Sequence, residues 1–252
     1  MNLTGNTIFI TGGGSGIGRG FAEALHKLGN QVIISGRRQA LLDVVTAANP
    51  GMASVTLDVA NPADIARVAT TLIRDYPSLN VLFNNAGIMP FDDAERALDL
   101  ETVQSIVATN LLGPVLMTSA LIEHLKTQPR ATVLYNSSVL AFVPLATNAV
   151  YSATKAAIHS YALSQRFVLR NSHVTVQEIA PPWVDTDLIK KSGDPRAMPL
   201  DTFIEQAMTL LATDAPEIVV EAIRSLRDNP GSGEHALVTA FNQSIVDDPI
   251  PV

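Results

Sequence analysis

Tyr151 and Lys155 stand four positions apart in a segment of helical periodicity, 149–170, so their side chains share one face. A phenol with an ordinary pKa of about 10 is a weak base near neutrality. A neighbouring ammonium stabilises the phenolate, lowers that pKa and makes the tyrosine a usable general acid or base. The same pair also occurs on plain amphipathic helix faces, so it needs supporting residues. Asn136-Ser137-Ser138 follows an apolar run at 131–136, and Ser138 precedes Tyr151 by thirteen residues. A hydroxyl at the carboxyl end of a strand can hydrogen-bond a carbonyl oxygen and polarise it, although serine also simply ends strands. Asn84-Asn85-Ala86-Gly87 closes another apolar run, with the composition of an ordinary turn. The histidines, at 26, 124, 159, 173 and 235, show no ligand spacing. His159, one turn beyond Lys155, reads as helix surface, and no catalytic metal is expected.

A second constellation suits phosphate. Thr11-Gly12-Gly13-Gly14-Ser15-Gly16-Ile17-Gly18 joins the first apolar strand to the first helical pattern. Glycine permits a tight turn and close backbone approach to a pyrophosphate, and a helix N-terminus adds free N–H groups and a positive dipole end. The segment lacks the Gly-Lys-Ser/Thr ending of a Walker loop. The second strand ends Ser35-Gly36-Arg37-Arg38. An acidic side chain there would hold a ribose 2′-hydroxyl; two guanidinium groups suit a 2′-phosphate instead. Cations are otherwise unfavourable at a helix start. The expected cofactor is NADP(H) in preference to NAD(H).

These residues need a scaffold. Apolar, β-rich runs occur at 7–11, 31–35, 53–57, 80–83, 131–136 and 174–179, and helical patterns at 16–28, 37–48, 62–76, 98–126 and 149–170. The fourth helix is interrupted near Gly113 and Pro114, and Asn61-Pro62 is a cap followed by a first-turn proline. Strands without polar alternation, separated by helices, predict an α/β, Rossmann-type doubly wound parallel sheet of six or seven strands. Helices cover both faces of this single domain, 1–252. Beyond the sixth strand a helix is expected at 216–227, a break at Asn229-Pro230-Gly231, and a C-terminal helix from the period of Leu237, Phe241 and Ile245.

Of the 252 residues 47% are hydrophobic and 16% charged, which supports a substantial core and argues against disorder. The net charge of −7 speaks against general nucleic-acid binding. The absence of cysteine excludes disulfides and thiolate chemistry and is compatible with a cytoplasmic setting. The start of the chain lacks signal-peptide character, and no uninterrupted apolar run reaches the ~18 residues of a membrane span, so no membrane partner is expected.

Together these residues resemble the short-chain dehydrogenase/reductase family, in register from Thr7 to about Leu188. The resemblance implies hydride transfer between nicotinamide C4 and a carbonyl or secondary alcohol carbon, with Ser138, Tyr151 and Lys155 catalytic. It implies that Asn110 holds a water in a proton relay through Lys155; by itself Asn110 is an amide in a helix that breaks nearby. It assigns the cofactor to Gly12, Gly14, Ser15, Gly16, Ile17 and Gly18, to Arg37 and Arg38, and to Asp58 and Val59 at the adenine. Asn85, Ala86 and Gly87 would line the cofactor cleft, and Tyr151, Lys155, Pro181, Val184 and Thr186 would lie at the nicotinamide end. Where the family has Pro-Gly after the sixth strand this chain has Pro181-Pro182. With Ala141-Phe142, that double proline is similar to the DltE-like subgroup.

Met89, Leu140, Phe142, Leu145, Asn148, Trp183, Leu188 and Met198 are the candidate substrate pocket, and their mostly apolar character suggests an apolar small-molecule ketone or alcohol. A substrate loop is expected at about 182–212, with a lid at 189–200 that carries Lys190 and Lys191. The long helices 98–126 and 149–170 resemble the family's dimer-forming pair, which implies a homodimer or homotetramer. Two alternatives remain: a non-catalytic NADP(H)-sensing protein, which would have no need of the Ser-Tyr-Lys set, and a sugar-nucleotide epimerase, which the short chain beyond strand six disfavours.

Overall fold

Runs of Ile, Val, Leu and Phe make strands that are buried on both sides. β1 (Thr7–Thr11) and β4 (Leu79–Asn84) are buried at every position. In this computed structural model, which describes residues 1–92, 94–189, 191, 193–228 and 231–249 (of Ser232 only the backbone), they lie at the middle of one parallel sheet. The other strands are β2 (Gln31–Gly36), β3 (Ala53–Thr56), β5 (Ala131–Asn136), β6 (Val174–Ile179) and β7 (Glu217–Ile218), and the order is β3-β2-β1-β4-β5-β6-β7. The order reverses between β1 and β4, which opens a crevice at the carboxyl ends of the strands, where such sheets bind ligands.

Helices α1 (Gly16–Lys27), α2 (Gln39–Ala48), α3 (Pro62–Asp75), α4 (Leu100–Val107), α5 (Gly113–Thr127), α6 (Ala149–Val168) and α7 (Leu200–Leu211) cover the sheet. One core joins Ile8, Ile10, Val32 and Phe83 to Phe21 of α1 and Phe203 of α7, with the Phe21 ring edge-on to those of Phe83 and Phe203 at 5.3 and 6.3 Å. The other joins Phe9, Leu82 and Val133 to Val68, Leu121 and Ile158. α3 begins as expected: the Asn61 side chain accepts from the Ala63 and Asp64 amides, with Pro62 in the first turn.

Two expectations are corrected. The long helix is not broken at Gly113-Pro114; α4 runs into α5 through a π-helical segment, Ala108–Leu112, that carries Asn110. Helix therefore continues over Leu100–Thr127, a stretch with mean hydropathy 1.6 in its most apolar window and long and apolar enough to cross a membrane by length and composition. Here it packs on the sheet, with Met117, Leu121 and Leu125 fully buried. Nor is 216–227 a helix. It holds β7, a 3-10 turn (Glu221–Ile223) and the short α8 (Arg224–Arg227), because Ile218, Val219 and Val220 are buried in extended chain beside β6. The C-terminal period does form a helix, α9 (Glu234–Asp247), on which Leu237, Phe241 and Ile245 are the half-buried face. Asn229 and Pro230 of the expected break lie outside the described residues.

Candidate active site

A cleft of about 1370 Å³ runs across the carboxyl ends of the strands. At one end the turn after β1 meets the start of α1. Gly12 has φ +70°, and a Cβ on it would lie 2.9 Å from Ala86 Cα, so the turn packs directly on the segment after β4. Gly18 is equally confined: a Cβ would fall 2.3 Å from Asn85 Nδ2. Asn85 ties this corner together. Its Nδ2 donates to the Thr11 carbonyl at 2.9 Å, and its Oδ1 accepts from Asn136 Nδ2 at 2.9 Å. The first turn of α1 carries no acidic side chain, and Ser15 makes no side-chain cap there. The N–H groups at this end are thus available to an anion.

Gly12, Gly14, Ser15, Gly16, Ile17, Gly18, Arg37, Arg38, Asp58, Val59, Asn85, Ala86, Gly87, Pro181, Val184 and Thr186 all line the cleft. Arg37 and Arg38 are exposed, and no carboxylate pairs with either among the described residues. Ser35 Oγ and Asn136 Oδ1 are buried at the cleft wall without a hydrogen-bond partner. Free helix-start amides, two unengaged guanidinium groups and unpaired polar atoms fit a phosphate-bearing dinucleotide.

Ser138, Tyr151 and Lys155 meet at the inner wall, and all three are nearly fully buried. Ser138 lies two residues beyond β5 and caps the following 3-10 turn, its Oγ accepting from the Leu140 amide at 3.1 Å. Lys155 Nζ donates to the Asn136 carbonyl at 2.7 Å and lies 5.4 Å from the centre of the Tyr151 ring. The sequence suggests that the ammonium lowers the phenol's pKa, but in the folded chain burial dominates. Burial pushes Tyr151 well above its ordinary value, opposed by a hydrogen bond with Ser138. Burial also pushes Lys155 down, to about 8, with the charge of Glu178 opposing it. Near neutrality the site therefore holds a protonated phenol and an ammonium, a proton donor beside a positive charge.

Asn110 does not line the cleft. Its Oδ1 accepts from the Ile88 amide at 2.9 Å and its Nδ2 donates to the Ile88 carbonyl at 2.8 Å, which pins the wall next to Lys155. Of the expected pocket residues, Met89, Leu140, Leu145, Trp183, Leu188 and Met198 line the cleft, but Phe142 and Asn148 do not. The Phe142 ring packs edge-on to His159 at 4.9 Å and under the Arg227 guanidinium. Asn148 is fully buried and donates to the Pro90 carbonyl at 3.0 Å. His159 is not helix surface either; its Nδ1 reaches Glu178 Oε2 at 2.8 Å. In the expected substrate loop, the Met198 amide donates to the Trp183 carbonyl at 2.8 Å, while Lys190 and Ser192 lie outside the described residues.

Other functional positions have little signal in sequence. Asp92, in the loop after β4, caps α6: its two oxygens accept from the Ala149 and Val150 amides at 2.8 and 3.0 Å. Phe241 and Ile245 of α9 reach the cleft, and Arg196 in the substrate loop pairs with Asp248 at the end of that helix at 2.8 Å. The period of α9 is visible in the sequence, but its docking site is not.

The family model described as short chain dehydrogenase matches residues 6–197. The chain is 38% identical over 234 residues to a protein named uncharacterized oxidoreductase DltE from Bacillus subtilis, covering 90% of this chain and 93% of that one. Among solved structures, a short chain dehydrogenase from Burkholderia cenocepacia in complex with NADP superposes with a TM-score of 0.81 at 24% identity, over the whole of both chains. A 3-ketoacyl-(acyl-carrier-protein) reductase from Brucella melitensis complexed with NADH gives 0.77 at 28% identity, covering 84% of this chain and 92% of that one.

Proposed function

The chain belongs to the short-chain dehydrogenase family, and from that premise we propose that it is an NADP(H)-dependent oxidoreductase acting on a carbonyl or secondary alcohol. The carrying observation is the meeting of Ser138, Tyr151 and Lys155 at the inner wall of a cleft that begins at the glycine turn. When bound, NADP(H) supplies or accepts the hydride at its nicotinamide C4. In the reducing direction the Ser138 hydroxyl and the Tyr151 phenol share the substrate's carbonyl oxygen and polarise it. Tyr151, which burial keeps protonated, gives that oxygen its proton. The Lys155 ammonium offsets the negative charge left on the phenol oxygen. Asn110, pinning Ile88 beside Lys155, steadies the place of the water that returns the proton.

Arg37 and Arg38 support NADP(H) over NAD(H), since Gly36 occupies the position where an acidic residue would repel a 2′-phosphate and the two arginines follow it directly. The apolar wall of Met89, Leu140, Leu145, Trp183 and Met198 supports an apolar small-molecule substrate, with the segment at about 182–212 as its lid. The enzyme would work in the cytoplasm as a homodimer or homotetramer. The test is a panel of ketones and secondary alcohols followed by NADPH absorbance, with NADH in parallel. Tyr151→Phe should lower turnover at least about a hundredfold while coenzyme still binds; turnover near wild type would defeat the assignment.

A further inference from the structure

Glu178 is fully buried in β6 on the side covered by α6, and the chemistry above makes no use of it. One carboxylate oxygen accepts from Ser137 Oγ and the other from His159 Nδ1 at 2.8 Å. Ser137 follows Asn136, whose carbonyl holds the Lys155 ammonium, and His159 lies one turn beyond Lys155 on α6. The carboxylate is thus clamped by the same two elements that position the ammonium. No hydrogen bond joins Glu178 to Lys155 among the described residues; they interact through charge, where solvent screens little.

Besides Lys155, the cations that act on Glu178 are Arg227, whose guanidinium is bonded to Glu217, and His159 when it is protonated. From β5, Tyr135 stands in register with Glu178, but its hydroxyl is engaged by Thr118 and Gln165. Arg166 of α6 donates to the Val176 and Pro216 carbonyls. Glu217 of β7 faces the cluster, yet both its oxygens are held by Arg227 of α8, at 2.7 and 3.0 Å. His159, Glu178 and Glu217 bring ligand atoms within 4.8 Å of one another, a grouping that could hold a metal ion, but Arg227 already supplies a cation to Glu217. A buried carboxylate is costly unless it is paired and hydrogen-bonded.

We propose that Glu178 is a positioning residue of the hydride-transfer site: its carboxylate, fixed by Ser137 and His159, keeps the Lys155 ammonium charged and in place beside Tyr151. The inference rests on the reading of Lys155 as the partner of Tyr151. Burial drives the lysine toward its neutral form, and Glu178 opposes it. Without the carboxylate, Lys155 should lose its proton at lower pH.

The measurement is side-chain ¹⁵N NMR of the lysine ammonium groups across pH. The chain's lysines are Lys27, Lys126, Lys155, Lys190 and Lys191, so a Lys155→Met spectrum assigns the signal. Glu178→Gln should lower the Lys155 midpoint by about one pH unit, and the alkaline limb of kcat for carbonyl reduction should move with it. Glu178→Val, an apolar residue suited to a buried strand, is made in parallel and should shift the same way. Glu178→Asp, which keeps the charge, should restore the midpoint. An unchanged midpoint in either folded charge-free variant overturns the proposal. The titration is read without turnover, so it stands or falls separately from the Tyr151→Phe result.

Discussion

Arg37 and Arg38 project from the end of β2 into the cleft, exposed and without a carboxylate partner among the described residues. A phosphate between them would gain charge-assisted hydrogen bonds worth about 1.5–3 kcal/mol each. The double substitution Arg37→Ala/Arg38→Ala should therefore raise the KM for NADPH by roughly a hundredfold or more and leave that for NADH nearly unchanged. Steady-state kinetics with both coenzymes checks this, and an equal loss for the two would refute the 2′-phosphate assignment. Residue types carried this much of the site into the sequence: glycines where two segments touch, arginines directly after the place an acid would otherwise take, and Tyr151 and Lys155 on one helical face. Burial is not a residue type. The spacing of Tyr151 and Lys155 suggests a lowered phenol pKa, while the enclosing wall drives it up. Glu178 likewise reads as a polar position in a strand until β6 is placed beneath α6.

At the scale of elements, α6 must hold Tyr151 and Lys155 against β5, and its start is anchored by Asp92 rather than by a residue of its own first turn. A carboxylate bonding two free amides at a helix N-terminus contributes through both hydrogen bonds and the dipole, about 1–2 kcal/mol. Asp92→Ala should lower stability by that amount in denaturant titration and speed hydrogen exchange at the Ala149 and Val150 amides. Turnover should fall as α6 loosens, and unchanged exchange would show that the cap is dispensable. No spacing rule reveals this contact, because loop and helix are 57 residues apart along the chain. The same limit explains the other misplaced elements. A two-residue strand such as β7 is too short to show a period, so 216–227 reads as helix. The direction of Phe142 and Asn148 is set by 3-10 turns whose side-chain order differs from that of the α-helix. Long strands and helices were legible because their burial repeats at 2.0 or 3.6 residues over many positions.

For the whole molecule, the apolar surface left uncovered is informative. Leu112 and Leu116, at the π segment and α5, are 50% and 37% exposed, and Leu163, Phe167 and Val168, on α6, are 45%, 65% and 70% exposed. These helices have their inner faces on the sheet, so the outward side chains are not the core's overflow but a second apolar face. Burying a large apolar side chain is worth about 1.5–3 kcal/mol, so several of them across a self-complementary interface can sustain a dimer. Leu163→Glu/Phe167→Glu would place carboxylates in that interface without disturbing the cleft, which α6 lines through Tyr151 and Lys155 near its start and not through Leu163 or Phe167. Sedimentation velocity should show an assembly for the wild type and a monomer for the double variant, with NADPH affinity retained. A wild-type chain that stays monomeric at tens of micromolar would remove the assembly from the account and leave these leucines and Phe167 as surface in need of another partner.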